Sequence, residues 1–389
     1  MRRTISFGSA SARALAACAS IAVFTLLAST AWAQFRVHPR QGSTSIASSP
    51  EADLDRFGAA VAIRSELAFI GAPDLPPGGK VVVYRATPTG LEGTATLSPN
   101  DPVPFEGFGQ SLAYRDGILL VGSNHAIYVF KRNSSGVWTQ RQKLPPSGGF
   151  SYEDGTLTIG ASGAVNIYQR DAAGKFVVRQ KLLSPDSAPN DRLGGVSLAG
   201  PTMVVGGNGR AYVFRRNSTG VWRHRQTLIP GEFGTEDAPT GFGSAVAIDR
   251  GMIIVGAPDL RGDLFSSEGA AYGFVLDGAL YVETFKLQPQ LDGYGGFTSG
   301  FGQQIAMFGE RIVVRAFTGI STDCDGWQES AFTYTRAGSS VLPRGIASWS
   351  GLGGGLALAD QRLLVGIPCD YFGIPEPGHA NFYRLNVFE

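Results

Sequence analysis

The sequence predicts an all-β fold, a seven-bladed β-propeller with four antiparallel strands per blade, on three observations. An aromatic-Gly element and a Gly-Ala-Pro-like element recur together at constant spacing. Glycine is abundant, at 53 of 389 residues, and no stretch shows sustained apolar recurrence at helical spacing. Each recurrence carries short apolar segments separated by polar turns, the pattern of a repeated sheet whose faces are buried only by its neighbours.

The first unit runs from Phe57-Gly58 through Val61-Ala62-Ile63, turns at Arg64 to Glu66, continues along Leu67 to Ile70 into Gly71-Ala72-Pro73, and resumes at Val81 to Tyr84. The same order returns from Phe108-Gly109, Phe242-Gly243, Phe301-Gly302 and Leu352-Gly353. In these five units the leading aromatic or leucine lies 14 positions before the residue at the Gly of the Gly-Ala-Pro element, at 71, 122, 256, 315 and 366. Two eroded units, Thr156 to Tyr168 and Leu193 to Phe214, bring the total to seven. A fourth segment follows a tight turn in Trp138 to Leu144, Phe176 to Leu182, Trp222 to Leu228 and Leu280 to Leu287. Asn133 to Gly136 and Asn217 to Gly220 read as hairpin turns. Arg141-Gln142-Lys143, Arg179-Gln180-Lys181 and Arg225-Gln226 fall on outermost strands, where charge blunts an exposed edge.

These units resemble FG-GAP repeats, the family that also builds the integrin α-subunit head, and the likeness covers nearly all of residues 52 to 389. The resemblance implies a calcium loop of the D-x-D-x-D-G type between the first two strands of a blade. Here those hairpins, among them Arg64-Ser65-Glu66, Arg115-Asp116-Gly117 and Asp360-Gln361-Arg362, lack the oxygen ligands such a loop needs. No cofactor is expected, and the family's usual metal sites are expected to be missing. The seventh unit reaches Phe388 with three strands, so ring closure requires the N-terminal segment, residues 34–51, to supply the fourth; the expected strand is Phe35 to Gln41.

Met1-Arg2-Arg3 and Arg13, followed by the apolar run from Ala14 and the Ala31-Trp32-Ala33 ending, read as a signal peptide over residues 1–33. The protein is then expected to be secreted, periplasmic or on the cell surface, with no membrane insertion after cleavage. Loss of Arg2, Arg3 and Arg13 leaves 30 of the 33 basic residues against 32 acidic ones, a formal charge of −2, which gives no sign of a nucleic-acid partner. Of the three cysteines, Cys324 and Cys369 survive cleavage and read as a disulfide, with two free thiols as the alternative.

Loops between second and third strands leave the blade on the same side as the links between blades. They are minimal in units two to four, and long in unit five (Asp259 to Glu268), unit six (Ala316 to Glu329) and unit seven (Cys369 to His379), with Asp74 to Gly79 of unit one moderately long. In a closed ring these four units are consecutive, so one arc of one face is elaborated. Its candidate ligand-binding residues are Asp259, Arg261, Asp263, Phe265, Glu268, Trp327, Glu329, Asp370, Tyr371, Phe372, Glu376 and His379. Carboxylates interleaved with aromatics suit a glycan, a peptide or a protein surface. Asp323 and Asp325, beside Cys324, form a calcium-loop fragment that lacks a third ligand in register, and are the weak metal candidates.

No H-E-x-x-H, C-x-x-C or G-x-S-x-G motif occurs, and the histidines at 38, 125, 224 and 379 share no position in the repeat. The expectation is a non-catalytic recognition protein. The alternatives are a polysaccharide-acting hydrolase or lyase using Asp259 with Glu268 or Asp323 with Glu329, and a structural component of the cell envelope.

Overall fold

The second strand of a unit is buried along its whole length in Leu67–Ala72, Ile118–Gly122 and Met252–Ala257. Such strands read as unbroken apolar runs because both faces are covered, here by the sheets before and after. The outermost strands alternate instead: Trp138–Leu144 exposes every second residue to water. The computed structural model describes residues 43–47, 56–88, 90–146, 149–161, 163–185, 193, 195–207, 209–233, 241–260, 268–289, 298–320, 327–338, 340–350, 353–368 and 379–385. Among them the sole helical element is a 3-10 turn at Gly231–Phe233, and no helix is long and apolar enough to cross a membrane.

Seven antiparallel sheets follow one another in chain order. Their innermost strands are Val61–Arg64, Ser111–Arg115, Gly149–Glu153, Val196–Ala199, Val246–Asp249, Ile305–Phe308 and Leu356–Ala359. Each packs beside the next, and the last packs beside the first, so the ring is closed. A cavity of about 290 Å³ among them is walled by Ile63, Leu112, Val246, Ile305 and Leu356, among others.

Between the first two strands every blade turns in two residues. Arg115 pairs with Ile118 and Asp249 with Met252, and the intervening Asp116-Gly117 and Arg250-Gly251 take positive φ at both positions, as a type I′ turn requires. In the third-to-fourth hairpins the side-chain oxygens of Asn133, Asp171 and Asn217 accept backbone N–H groups four residues on, from Val137, Lys175 and Val221, at 2.8 to 2.9 Å. A bulge then interrupts the outer pairing at one position in six successive blades, between Val83 and Tyr84 in the first and Thr333 and Tyr334 in the sixth. It twists the outer edge away from a flat template for further pairing.

The fourth strand of blade seven is Ser43–Ala47, pairing with His379–Arg384 so that Thr44 faces Phe382 and Ile46 faces Ala380. The N-terminal segment therefore closes the ring as expected, but later in the chain than Phe35 to Gln41, which lies outside the described residues. Pro39 has no N–H to give an antiparallel ladder, whereas Ser43–Ala47 contains no proline.

The outer strands are laced across the blade seams by glutamine. Gln142 Nε2 donates to the carbonyl of Phe176 (2.8 Å) while its Oε1 accepts from that residue's N–H (2.7 Å). Gln180 makes the same pair of bonds with Trp222 (2.7 and 2.9 Å), and Gln226 with Tyr281 (both 2.8 Å). In the Arg-Gln-Lys recurrences the charged neighbours remain exposed at the edge; the half-buried glutamine is the joint. Gln180→Ala is expected to cost about 1–3 kcal/mol in urea unfolding, because it orphans both polar groups of the buried Trp222 backbone. A loss below half a kilocalorie would show that the lacing is incidental.

Candidate functional site

Antiparallel order places the two tight hairpins of every blade on one face of the ring and the second-to-third connections and inter-blade links on the other. On that second face blade six is built differently from the rest. Its strands Arg311–Ile320, Trp327–Ala337 and Ser340–Ser350 run to 10, 11 and 11 residues, and Thr298–Ser299 adds a further rung beside Arg311–Ile320. Much of the expected loop from Ala316 to Glu329 is thus strand: Ala316 pairs with Ser330, Phe317 with Glu329, and Ile320 with Trp327 across a register shift. The polar run at its tip suggests a loop, but the flanking Phe317, Ile320 and Trp327 are strand formers, and Ile320 pairs with Trp327 once the flanks are brought together.

At the base of this ribbon lies a fully buried ion pair. Arg315, 1% exposed, donates through Nη2 to the carboxylate of Glu329, which is 0% exposed. Its Nη1 donates to the carbonyl of Gly354 and to Gln304 Oε1 (3.1 Å), while Glu329 Oε1 accepts the N–H of Gly353 at 3.0 Å. Removal from water pushes the guanidinium down, to about 9, which still leaves it charged at neutral pH. Arg315 occupies the position at which most other blades carry the glycine of the Gly-Ala-Pro element. There Gly71, Gly206 and Gly256 press on the aromatic-linked glycines of the next blade, so that a β-carbon would overlap the carbonyl oxygens of Gly109, Gly243 and Gly302. Blade six replaces that backbone contact with directional, charge-assisted bonds to blade seven.

Glu329 is therefore placed inside, as the brace of the ribbon, and not on the surface where a ligand would meet it. Asp259 is exposed beside Gly241, the position at which blade one carries Arg56; there Arg56 Nε donates to the corresponding Asp74 at 2.6 Å. Glu268 is half-buried, and its carbonyl accepts the N–H of Phe301. The backbones of Trp327 and His379 are strand, at the two places where the long connections rejoin the sheets. Arg261, Asp263, Phe265, Asp323, Cys324, Asp325, Cys369, Asp370, Tyr371, Phe372 and Glu376 lie outside the described residues. Among the described residues no group of three or more His, Cys, Asp or Glu side chains converges as a metal site would require.

Two constellations on the same face are invisible as motifs. Buried Glu106, in the link entering blade two, accepts from the Tyr128 hydroxyl and from Ser123 Oγ (3.2 Å), and the Lys143 ammonium lies 5.0 Å from the Tyr128 ring centre. Blade five repeats the arrangement with Glu232, Tyr272 and Lys286. Burial, then the glutamate it bonds, pushes the Tyr128 phenol up to about 12, so both tyrosines act as permanent donors that tie links to blades. The signal was the tyrosine recurring early in the third strand, but its glutamate comes from a link of different length and sequence each time.

No protein-family model and no curated protein matches the chain. Solved structures do. The β-propeller domain of Cps50 (Swd1) from Myceliophteria thermophila is 12% identical, with 88% of this chain and 100% of that chain covered at a TM-score of 0.53. A putative 6-phosphogluconolactonase from Bacteroides uniformis is 10% identical over 75% of this chain and 88% of its own, at 0.52. Raptor from Chaetomium thermophilum is 11% identical over 87% of this chain, which spans 30% of Raptor, at 0.54. At such identities the likeness is one of fold alone: the chain is a seven-bladed β-propeller of four-stranded blades.

Proposed function

We propose that the protein is an exported, non-catalytic recognition module of FG-GAP-type repeats, which binds a glycan, a peptide or a surface protein through the loops of blades five, six, seven and one. The observation that carries this reading is the asymmetry of blade six, whose ribbon stands out from the ring on a buried Arg315–Glu329 base. A rigid scaffold under variable loops is how repeat folds present binding residues. The engagement of Glu329 by Arg315 and by Gly353 also removes one partner of the Asp323 and Glu329 pair from solvent-side chemistry.

Arrays of glycans and of surface proteins, screened with the full exported chain, test the proposal. Saturable binding should fall at least tenfold in the triple variant Trp327→Ala, Tyr371→Ala, Phe372→Ala, since aromatic anchors carry most of such an interface. Binding unchanged in that variant would place the interface elsewhere. Turnover of a bound glycan, abolished by Asp259→Asn or Glu268→Gln, would replace this reading with that of a polysaccharide-acting hydrolase or lyase.

A further inference from the structure

The tight-hairpin face, away from the elaborated arc, carries a depression of about 450 Å³ across blades two, three and four. Its wall includes Asp116, Asp154, Thr156, Gln169, Arg170 and Arg216. Arg170 and Arg216 hold one repeat position, the end of the third strand, in adjacent blades, and each faces the aromatic that starts its own fourth strand. The Arg170 guanidinium sits 5.5 Å from the Phe176 ring centre and donates to the Tyr152 hydroxyl; that of Arg216 sits 5.7 Å from Trp222. Arg216 then crosses the seam, its Nη1 reaching the Thr156 hydroxyl of blade three at 3.2 Å. The buried Nε of Arg170 meets no acceptor among the described residues. Two guanidiniums are thus held in place before any ligand arrives, a planar donor array that fits a carboxylate.

The rest of the wall narrows the choice. Asp116 and Asp154 are exposed, occupy the hairpin turns at φ 52° and 46°, and offer acceptors to hydroxyl donors, as does the Gln169 amide. With two carboxylates balancing two guanidiniums, the wall disfavours a phosphate dianion and suits an anion that brings its own hydroxyls. The depression is open to solvent, with room for one sugar unit. We infer that this depression binds a carboxylated sugar, a hexuronate unit, its carboxylate on Arg170 and Arg216 and its ring hydroxyls on Asp116 and Asp154. The site is separate from the blade-six arc, so either can fail without the other.

Isothermal titration of the full exported chain with trigalacturonic acid, with neutral galactotriose and inorganic phosphate as comparison ligands, tests the inference. Saturable binding of the uronate alone is expected. Arg216→Gln should weaken it at least tenfold, and Asp154→Asn, which keeps a residue tolerant of positive φ in the turn, severalfold. Both variants should keep the parent's far-ultraviolet dichroism and unfolding midpoint to within a few degrees, and Trp327→Ala should leave uronate binding unchanged. Equal binding of galactotriose, competition by phosphate at matched concentration, no heat with the uronate, or full affinity in folded Arg216→Gln would each overturn it.

Discussion

Arg315→Met is expected to destabilise the protein by about 3–5 kcal/mol, the cost of stranding a buried charge whose partner has been removed. Glu329 is 0% exposed, and in the variant its carboxylate would keep the Gly353 N–H but lose the guanidinium. The Gly354 carbonyl and Gln304 would lose a donor in the same step. Urea unfolding of single and double variants separates pairing from packing. Arg315→Met with Glu329→Leu should recover most of the loss, because a buried pair exchanged for apolar side chains of similar volume is often neutral. A loss of less than about 1 kcal/mol, or a double variant no better than the single, would mean that the pair is not what holds this seam.

The location of the pair connects stability to the proposed site. Arg315 is in strand Arg311–Ile320 and Glu329 in strand Trp327–Ala337, the two arms of the blade-six ribbon, while both glycine contacts belong to the entry of blade seven. A glycine at 315 would offer blade seven a backbone contact but no side-chain hydrogen bond. Charged hydrogen bonds have a preferred direction, so the ribbon is held at one angle to the neighbouring blade. Arg315→Met should therefore disturb ligand binding at the arc even where the variant remains folded.

How much of this was legible in the sequence depended on whether the cause was local. The 14-residue spacing is local: within one blade it brings the N–H of Gly58, Gly109, Gly243 or Gly302 onto the carbonyl of residue 71, 122, 256 or 315. The two-residue turns were legible for the same reason. The closing strand was not, because Phe35-Arg36-Val37-His38 alternates more cleanly than Ser43–Ala47, and the strand the latter pairs with, His379–Arg384, lies more than three hundred residues away. Blade six misled through composition, as Ser321 to Gly326 reads as loop and hides the pairing of its flanks. Gln142, Gln180 and Gln226 were visible as recurrences, but their partners are backbone groups of the next blade, which no side-chain pattern announces. Glu329 read as a surface carboxylate because a buried charge is legible only together with its partner.

Gly366→Ala is expected to be the most damaging addition of a single methyl group, at about 3 kcal/mol or more, the upper end for overpacking. A β-carbon there would overlap the carbonyl oxygen of Gly58, which accepts the N–H of Gly355 at 2.9 Å, so the obstacle is backbone already committed to a bond. This is the seam between blades seven and one, and blade seven is the sheet completed by pairing Ser43–Ala47 with His379–Arg384. Strand glycines normally gain from alanine through reduced freedom of the unfolded chain. Gly93→Ala supplies that comparison, since its nearest neighbour, Tyr84 Cε1, stands at 3.8 Å, and it should be neutral or slightly stabilising. Thermal and urea unfolding of the two variants side by side would measure the packing term alone. Equal stabilities would mean that the ring closes with slack at this seam, and that the repeated glycine contact is not what sets the blades' spacing.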